Sequence, residues 1–197
     1  TQMYDDYNIQ PYIDVCHVYD PLEWGLKETR IGGENDGAYT WVAPIQAEAD
    51  IENLHFPEVR IDYQATDRLK GTAEKIFGDL LTVRVKTLWW WSLGLTRLLI
   101  ELRGLQQCMY DVYENSAILH QIMTILRDGT LAMLDRLEAE GLLSLNDEGT
   151  YVGSGGLGWT EELPQSDFDG NIRCADMWGF CESQETVGVS PDTFAEF

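Results

Sequence analysis

Residues 142–158, LLSLNDEGTYVGSGGLG, decide the predicted fold class. Four residues suited to a buried strand, 142–145, precede a polar and glycine-rich loop. A long amphipathic pattern lies before them, and strand patterns recur on both sides. The resulting order of strand, helix, strand, helix, strand is typical of parallel α/β architecture with right-handed crossovers. In such a fold we expect this loop at the edge of the sheet that carries the functional site.

The stretch upstream predicts the strongest helix of the chain. Asn115 is a good N-cap and Gly141 a good C′ residue. The apolar residues between them fall on one face, which we expect to pack on a sheet: Ile118, Ile122, Ile125, Leu126, Met133 and Leu137. Gly129 interrupts the helix at a cost of about 1 kcal/mol relative to Ala, which indicates the close approach of another backbone.

Further elements follow from hydrophobic period and turn residues. Strands are predicted at 11–18 (PYIDVCHV), at 38–44 within a hairpin over 22–45, at 80–91 (LLTVRVKTLWWW) and around 177–181 (MWGFC). The run 80–91 is so continuously apolar that we expect a central strand buried on both faces. Shorter helices are predicted at 62–78, 95–102 and 105–113, and a last one begins at Ser190-Pro191.

Charge and composition narrow the classes of partner. The chain of 197 residues carries 34 acidic against 13 basic side chains, a formal charge of -21, which repels nucleic acid and anionic membrane surfaces. Its 44% hydrophobic content predicts a globular core. Neither a membrane-length apolar run nor a signal peptide is found in the sequence. We read the four cysteines as reduced, mostly buried thiols and expect a cytoplasmic protein.

Polar side chains follow each predicted strand, where parallel α/β folds hold their active sites. We expect them to converge from distant parts of the chain: Cys16, His17 and Tyr19; Trp89 to Ser92; Asn146, Asp147 and Glu148; Glu182, Ser183 and Gln184. The roles that we predict are proton transfer by Glu182, Asp147 and His17, substrate orientation by Gln184 and Asn146, and stacking on Trp90.

Each of these residues also has a structural alternative. His17 is either an acid, base or metal ligand or a core or rim histidine with satisfied hydrogen bonds. The tryptophans 89–91 suit hydrophobic packing at the mouth of the sheet as well as a platform for a flat substrate. Asp147 and Glu148, next to a glycine, are also typical of a turn. Glu182 lies either at a solvated rim or in a pocket where burial raises its pKa.

Common ligand motifs are absent or incomplete in the sequence. The segment GSGGLG (153–158) has no helix opening at its third glycine and no P-loop lysine, which disfavours a nucleotide fingerprint and leaves anion capture by loop amides. DFDGN (167–171) lacks the remaining ligands of a calcium loop, so we read it as a turn. No zinc spacing of Cys and His occurs.

Three stretches carry a resemblance to a known family: WWWSLGLTRLLIELRGLQQCMYDVYENSAILHQIMTILRDG (89–129), NDEGTYVGSGGLGWTEELP (146–164) and DMWGFCESQETVGVSP (176–191). They resemble the uroporphyrinogen decarboxylase superfamily, in particular its uncharacterised bacterial members. The resemblance implies a TIM-type (β/α)8 barrel, present here as a partial barrel. It rests on long stretches and not on a catalytic signature.

The same resemblance implies an activity and its alternatives. The family holds decarboxylases, which act on the acetate side chains of a tetrapyrrole without a cofactor, and corrinoid or coenzyme M methyltransferases that hold zinc. We therefore expect a uroporphyrinogen decarboxylase-like protein. The alternatives are a methyltransferase whose zinc site lies outside this chain, or a non-catalytic module that binds a corrinoid protein. The arginine-rich decarboxylase motif has no counterpart in PYIDVCHVYD, so no activity carries over residue by residue.

Two cations are candidates to bind a substrate carboxylate. Arg84 and Lys86 alternate with Val83 and Val85, so they share one strand face and are placed to point together into a barrel interior. Arg173 is a further cation for such a pocket. Ion pairs with the acidic surface are the alternative.

Residues 1–197 are predicted to form a single domain. The chain starts without Met and stops where a helix begins, so we expect part of a longer barrel. A cut barrel exposes two sheet edges, which predicts a homo-oligomer. The expected partners are a small-molecule substrate or a corrinoid protein, without nucleic acid or membrane.

Overall fold

A computed structural model describes residues 10–34, 37–87, 93–153, 156–179, 181, 183–186 and 188–197. Within them the strands are β1 (Tyr12–Cys16), β2 (Thr29–Gly32), β3 (Tyr39–Val42), β4 (Thr82–Lys86), β5 (Glu148–Gly153) and β6 (Gly156–Trp159). The helices are α1 (Tyr63–Phe77), α2 (Thr96–Arg103), α3 (Leu105–Glu114), α4 (Ser116–Ala139) and α5 (Pro191–Glu196). Short 3₁₀ turns cover Glu48–Asn53 and Cys174–Asp176.

In the described residues the architecture is mixed α/β, with three two-stranded sheets. β1 and β4 pair in parallel, whereas β2–β3 and β5–β6 are antiparallel hairpins. The expected parallel order therefore holds for one pair, and the described residues form no closed barrel. The chain divides into two compact units, Thr1–Asp20 with Arg60–Trp89 and Pro21–Val59 with Trp90–Phe197.

The first unit is a strand, helix, strand arrangement. α1 begins after Asp62, whose carboxylate accepts a hydrogen bond from the Ala65 backbone N–H at 2.8 Å. The helix contacts both strands of the parallel pair. β4 covers only five residues of the predicted run 80–91, and residues 88–91 lie outside the described part. The expectation that this strand is buried on both faces was wrong: Thr82 is exposed, the next three residues are half-buried, and Lys86 at the strand end is buried.

Helices build the core of the second unit. The predicted helices at 95–102, 105–113 and 115–141 are confirmed as α2, α3 and α4, and the hairpin within 22–45 is confirmed as β2–β3. The buried core residues come mainly from these three helices and the segment before α1: Trp24, Ile45, Ile51, Leu99, Ile100, Leu102, Cys108, Ile118, Leu119, Ile122 and Leu126.

The apolar face of α4 has the predicted residues but a different partner. Its buried positions recur at helical spacing from Ile118 to Leu137. Those from Ile118 to Leu126 pack on α2, α3 and the turn at Glu48–Asn53, where we expected a sheet. The close approach at Gly129 is made by an indole ring and not by a backbone. A Cβ there would lie 2.6 Å from Cζ3 of Trp24.

A buried ion pair ties the core helices to the chain that precedes α1. The Arg103 guanidinium donates two hydrogen bonds to the Asp111 carboxylate, at 2.6 and 3.2 Å. It also donates to the carbonyls of Ile45 and Gln46, both at 3.0 Å. Gln107 donates a further bond to Asp111 at 2.9 Å. These contacts satisfy a charge pair that water cannot reach.

The segment after α4 corrects two of the strand predictions. Residues 142–147 form no strand, and the glycine-rich loop is the hairpin β5–β6. Leu142 and Leu143 are buried, and they follow the C-terminal end of α4. Gly141, at φ 65°, donates to Glu138, and Leu142 donates to Leu137. These two hydrogen bonds form a Schellman cap, which places an apolar residue beside the last turn of the helix.

The predicted strand MWGFC is also wrong for its described residues. Residues 177–179 lie in no strand, and a 3₁₀ turn precedes them. Asp176, fully buried, accepts hydrogen bonds from the backbone N–H groups of Gln165 and Arg173. Arg173 bridges Asp176 and Asp167, at 2.8 and 2.7 Å. The DFDGN turn is confirmed, since Asp169 accepts a bond from the Asn171 N–H.

Two expectations from composition can be compared with the structure. Among the described helices, none is long and apolar enough to cross a bilayer. All four cysteines are free thiols. The prediction that most of them are buried was wrong: Cys108 is buried and Cys16 half-buried, whereas Cys174 and Cys181 are exposed.

Candidate functional site

The parallel pair of the first unit has one apolar and one polar face. Side chains alternate along each strand, and the register pairs Asp14 with Arg84 and Cys16 with Lys86. The polar face therefore carries a carboxylate and both of the cations predicted to share it. The prediction that Arg84 and Lys86 lie on one face is confirmed.

Asp14 binds both cations. The Arg84 guanidinium donates to its two oxygens at 2.7 and 3.0 Å, in the bidentate geometry that arginine favours. Nζ of Lys86 lies 3.4 Å from Oδ2 of the same carboxylate. Partial burial raises the pKa of Asp14, but the Arg84 hydrogen bond and the Lys86 charge outweigh it and hold that pKa below its usual value.

An aromatic ring fixes the arginine from the other side. The guanidinium carbon of Arg84 lies 3.2 Å from the centroid of the Tyr12 ring, a cation–π contact. Arg84 is thus oriented by a carboxylate and by a ring that belong to the neighbouring strand. The arrangement presents a fixed positive group beside the ammonium of Lys86, which is buried.

His17 follows β1 directly, at the carboxyl end of the parallel pair. Its backbone N–H continues the ladder by donating to the Lys86 carbonyl at 3.1 Å. Its Nδ1 lies 3.2 Å from the hydroxyl of Thr87, and its ring meets that of Tyr63 edge-on at 6.4 Å. Burial lowers the pKa of His17, so the imidazole is neutral at pH 7 and able to accept a proton.

The neighbours of His17 keep their protons. Burial, followed by the negative charge of Asp14, raises the pKa of the Cys16 thiol. Burial likewise raises the pKa of Tyr19, with a smaller effect of Cys16. Since the thiolate is the nucleophilic form of cysteine, this environment makes Cys16 a weak nucleophile. His17 is the group at this strand end that is suited to proton transfer.

The candidates from the glycine-rich segment lie in the second unit. Asn146 is buried, and its side chain makes two bonds with the Trp178 backbone, donating to the carbonyl at 2.7 Å and accepting from the N–H at 2.8 Å. The side-chain amide thus makes the two hydrogen bonds that a residue of a neighbouring strand would make. Asp147 is buried as well, and its backbone carbonyl accepts a bond from Thr160 at 3.3 Å. Gln184 is exposed.

The structure therefore divides the predicted site between the two units. His17, Arg84 and Lys86 belong to the first, whereas Asn146, Asp147 and Gln184 belong to the second. Glu182 and Trp90 lie outside the described residues, so their predicted roles stay predictions. In the part of the chain that is described, no group of three or more His, Cys, Asp or Glu side chains is arranged to hold a metal ion.

Sequence reasoning missed three residues of the first unit. Asp14 organises the polar face, Thr87 contacts His17, and Tyr12 supports Arg84. A charged residue in the middle of the predicted strand PYIDVCHV was the available signal. Because side chains alternate along a strand, Asp14 lies on the face opposite Val15.

Comparison with models of known families, with curated proteins and with solved structures found no match for this chain.

Proposed function

We propose that this chain is part of an enzyme of the uroporphyrinogen decarboxylase type, which acts on a small molecule bearing carboxylates. The observation that carries the proposal is that Arg84, Lys86 and His17 belong to one parallel strand pair. The cations lie on its polar face, and His17 lies at its carboxyl end, where it contacts Tyr63 of α1. The cations suit a carboxylate, and His17 suits a proton transfer.

The local topology supports a barrel of which this pair is one segment. A strand, helix and parallel strand form the repeating unit of a (β/α)8 barrel. In that fold the side chains of each strand alternate between the barrel interior and the surrounding helices. The face with Asp14, Arg84 and Lys86 would line the interior, and the face with Val15, which is buried, would meet α1.

The chemistry follows from the charges. Decarboxylation breaks the bond between the carboxyl carbon and its neighbour, releases CO₂ and leaves an electron pair that takes up one proton. A bound carboxylate near His17 favours its imidazolium form. His17 then donates that proton to the carbon, and solvent restores it. Arg84 and Lys86 hold a second carboxylate of the substrate, joining the cluster around Asp14. Asp147, Glu182, Asn146, Gln184 and Trp90 take no part in this step, and their predicted roles stay predictions.

The test is anaerobic incubation with uroporphyrinogen, followed by counting the carboxylates of the oxidised porphyrins by chromatography. His17→Gln is expected to lower kcat by about 10²–10⁴-fold, the usual contribution of a general acid or base. Lys86→Gln is expected to raise KM, with a smaller change in kcat.

Two matched variants control for loss of charge alone. His120→Gln and Lys70→Gln alter exposed side chains on α4 and α1 and are expected to behave like the parent. Equal activity of His17→Gln and the parent would refute the role of His17. Methyl transfer from methylcobalamin to coenzyme M, without loss of CO₂ from the porphyrinogen, would refute the decarboxylase and favour the methyltransferase alternative.

A further inference from the structure

The second unit contains a cavity of about 470 Å³. It lies among α2, α3, α4 and the C-terminal segment that includes α5. Its walls include these side chains: Leu99, Met109, Val112, Leu119, Met123 and Phe194. The described residues of the candidate site are not among those that line it. Whatever this cavity binds is therefore independent of the proposed decarboxylase chemistry.

Its walls are made almost entirely of carbon and sulfur. Among the described residues that line it there is no Asp, Glu, Lys, Arg or His. The hydroxyls at its edge already have partners: Thr96 donates to Glu185 at 3.0 Å, Ser183 contacts Thr186, and Thr193 accepts a bond from Ser190. A ligand with a formal charge would be buried without a counter-charge, which is costly.

Size separates this cavity from a packing defect and from a protein interface. Protein interiors have few voids larger than a water molecule. Sites for small molecules occupy about 300–1,000 Å³ and are lined mostly by apolar side chains. A stable protein partner would instead need about 800 Å² of contact on each side. The volume and the wall chemistry both favour a small molecule.

The walls decide the charge of that molecule. No cation is among the described residues that line the cavity, and Glu185 is bound to Thr96 at its edge, so an anion such as a fatty acid has no counter-charge there. We propose that the cavity is a binding site for an uncharged, mainly apolar small molecule. Phe194, which is 48% exposed while lining the wall, stands at its rim.

The test uses N-phenyl-1-naphthylamine, an uncharged apolar fluorophore, titrated with the purified chain. Saturable binding at one site per chain is expected, with displacement by decanol. Decanoate at pH 7.5 is expected to need at least a tenfold higher concentration, because its carboxylate has no cation at the walls. Equal displacement by the two competitors would overturn the proposal.

Variants locate the site. Val112→Trp is expected to fill the cavity and weaken probe binding at least tenfold. Tyr113→Trp is its matched control, because Tyr113 is the next residue of α3 and is 88% exposed. Phe194→Ala changes an exposed position and is expected to weaken binding without unfolding the chain. Unchanged binding in both Val112→Trp and Phe194→Ala would overturn the proposal. Loss of probe binding at protein concentrations at which the chain self-associates would also overturn it.

Discussion

Two glycines in helix interiors meet opposite surroundings. At Gly129 of α4 a Cβ would lie 2.6 Å from the buried ring of Trp24, and no such contact is possible without a shift of the core. At Gly71 of α1 no described atom lies within 4 Å of an added Cβ. Both positions are helical, so the same substitution separates helix propensity from packing.

We predict opposite effects of alanine at these two positions. Gly129→Ala is expected to destabilise the fold by about 1–3 kcal/mol through overpacking. Gly71→Ala is expected to stabilise it by up to about 1 kcal/mol, because alanine loses less backbone entropy on folding. Urea unfolding of both variants measures the difference. A stabilising Gly129→Ala would contradict the packing against Trp24.

Single residues of the candidate site were predictable where a strand period exposed them. Arg84 and Lys86 share a face because they are two residues apart, and this required no knowledge of the partner strand. Asp14 was missed because its role depends on the register with β4, which pairs residues 70 positions apart. Local sequence does not encode such a pairing.

A buried ion pair joins α2, α3 and the segment that precedes α1. The side chains of Arg103 and Asp111 are 6% and 3% exposed. Asp111→Asn is expected to destabilise the fold by about 3–5 kcal/mol, because it leaves the arginine buried without its counter-charge. Asp128→Asn, which removes an exposed partner of Arg127, is the control and is expected to cost at most about 1 kcal/mol. Similar denaturation midpoints for the two variants would argue against the buried pair.

Helices were predictable to within a few residues, whereas several strands were not. The caps at Asn115, Gly141 and Ser190 are local signals, and the helices begin or end beside them. The short apolar runs 142–145 and 177–181 have the composition of strands, but their described residues lie in no strand. In the first run the Leu142 N–H donates the hydrogen bond of the Schellman cap. In the second run the Asn146 side chain bonds both the N–H and the carbonyl of Trp178.

At the scale of the whole molecule, three aspartates tied to arginines link stability to pH. The Arg173 guanidinium lowers the pKa of Asp167 and Asp176 in the second unit. In the first unit partial burial opposes the lowering of the Asp14 pKa by Arg84 and Lys86. A lowered folded-state pKa stabilises the fold above the ordinary carboxyl value of about 4. The contribution is lost as the pH falls through the lowered values.

We predict that Arg173→Gln loses stability at pH 7 and that its deficit relative to the parent shrinks towards pH 3. Below the ordinary carboxyl pKa the unfolded chain takes up protons that the folded carboxylates beside Arg173 do not, so the stabilisation that Arg173 confers begins to be lost. Arg127→Gln is the control, since it removes an exposed arginine that pairs with its neighbour Asp128. Urea midpoints from pH 7 to 3 measure both. A deficit that does not change with pH would contradict the role of the charge.

The burial of one cysteine allows local opening of the core to be measured through thiol modification. Cys108 lies in the helical core, and burial, with a further effect of Asp111, raises the pKa of its thiol to about 12. A thiol reagent can modify Cys108 only while that core is open. Exposed Cys174 needs no such opening, but burial of its sulfur and the hydrogen bond with Glu138 raise its thiol pKa to about 11 and slow its reaction. The modification rate of Cys108, divided by that of a free cysteine under the same conditions, gives the opening frequency of the helical core with no added label.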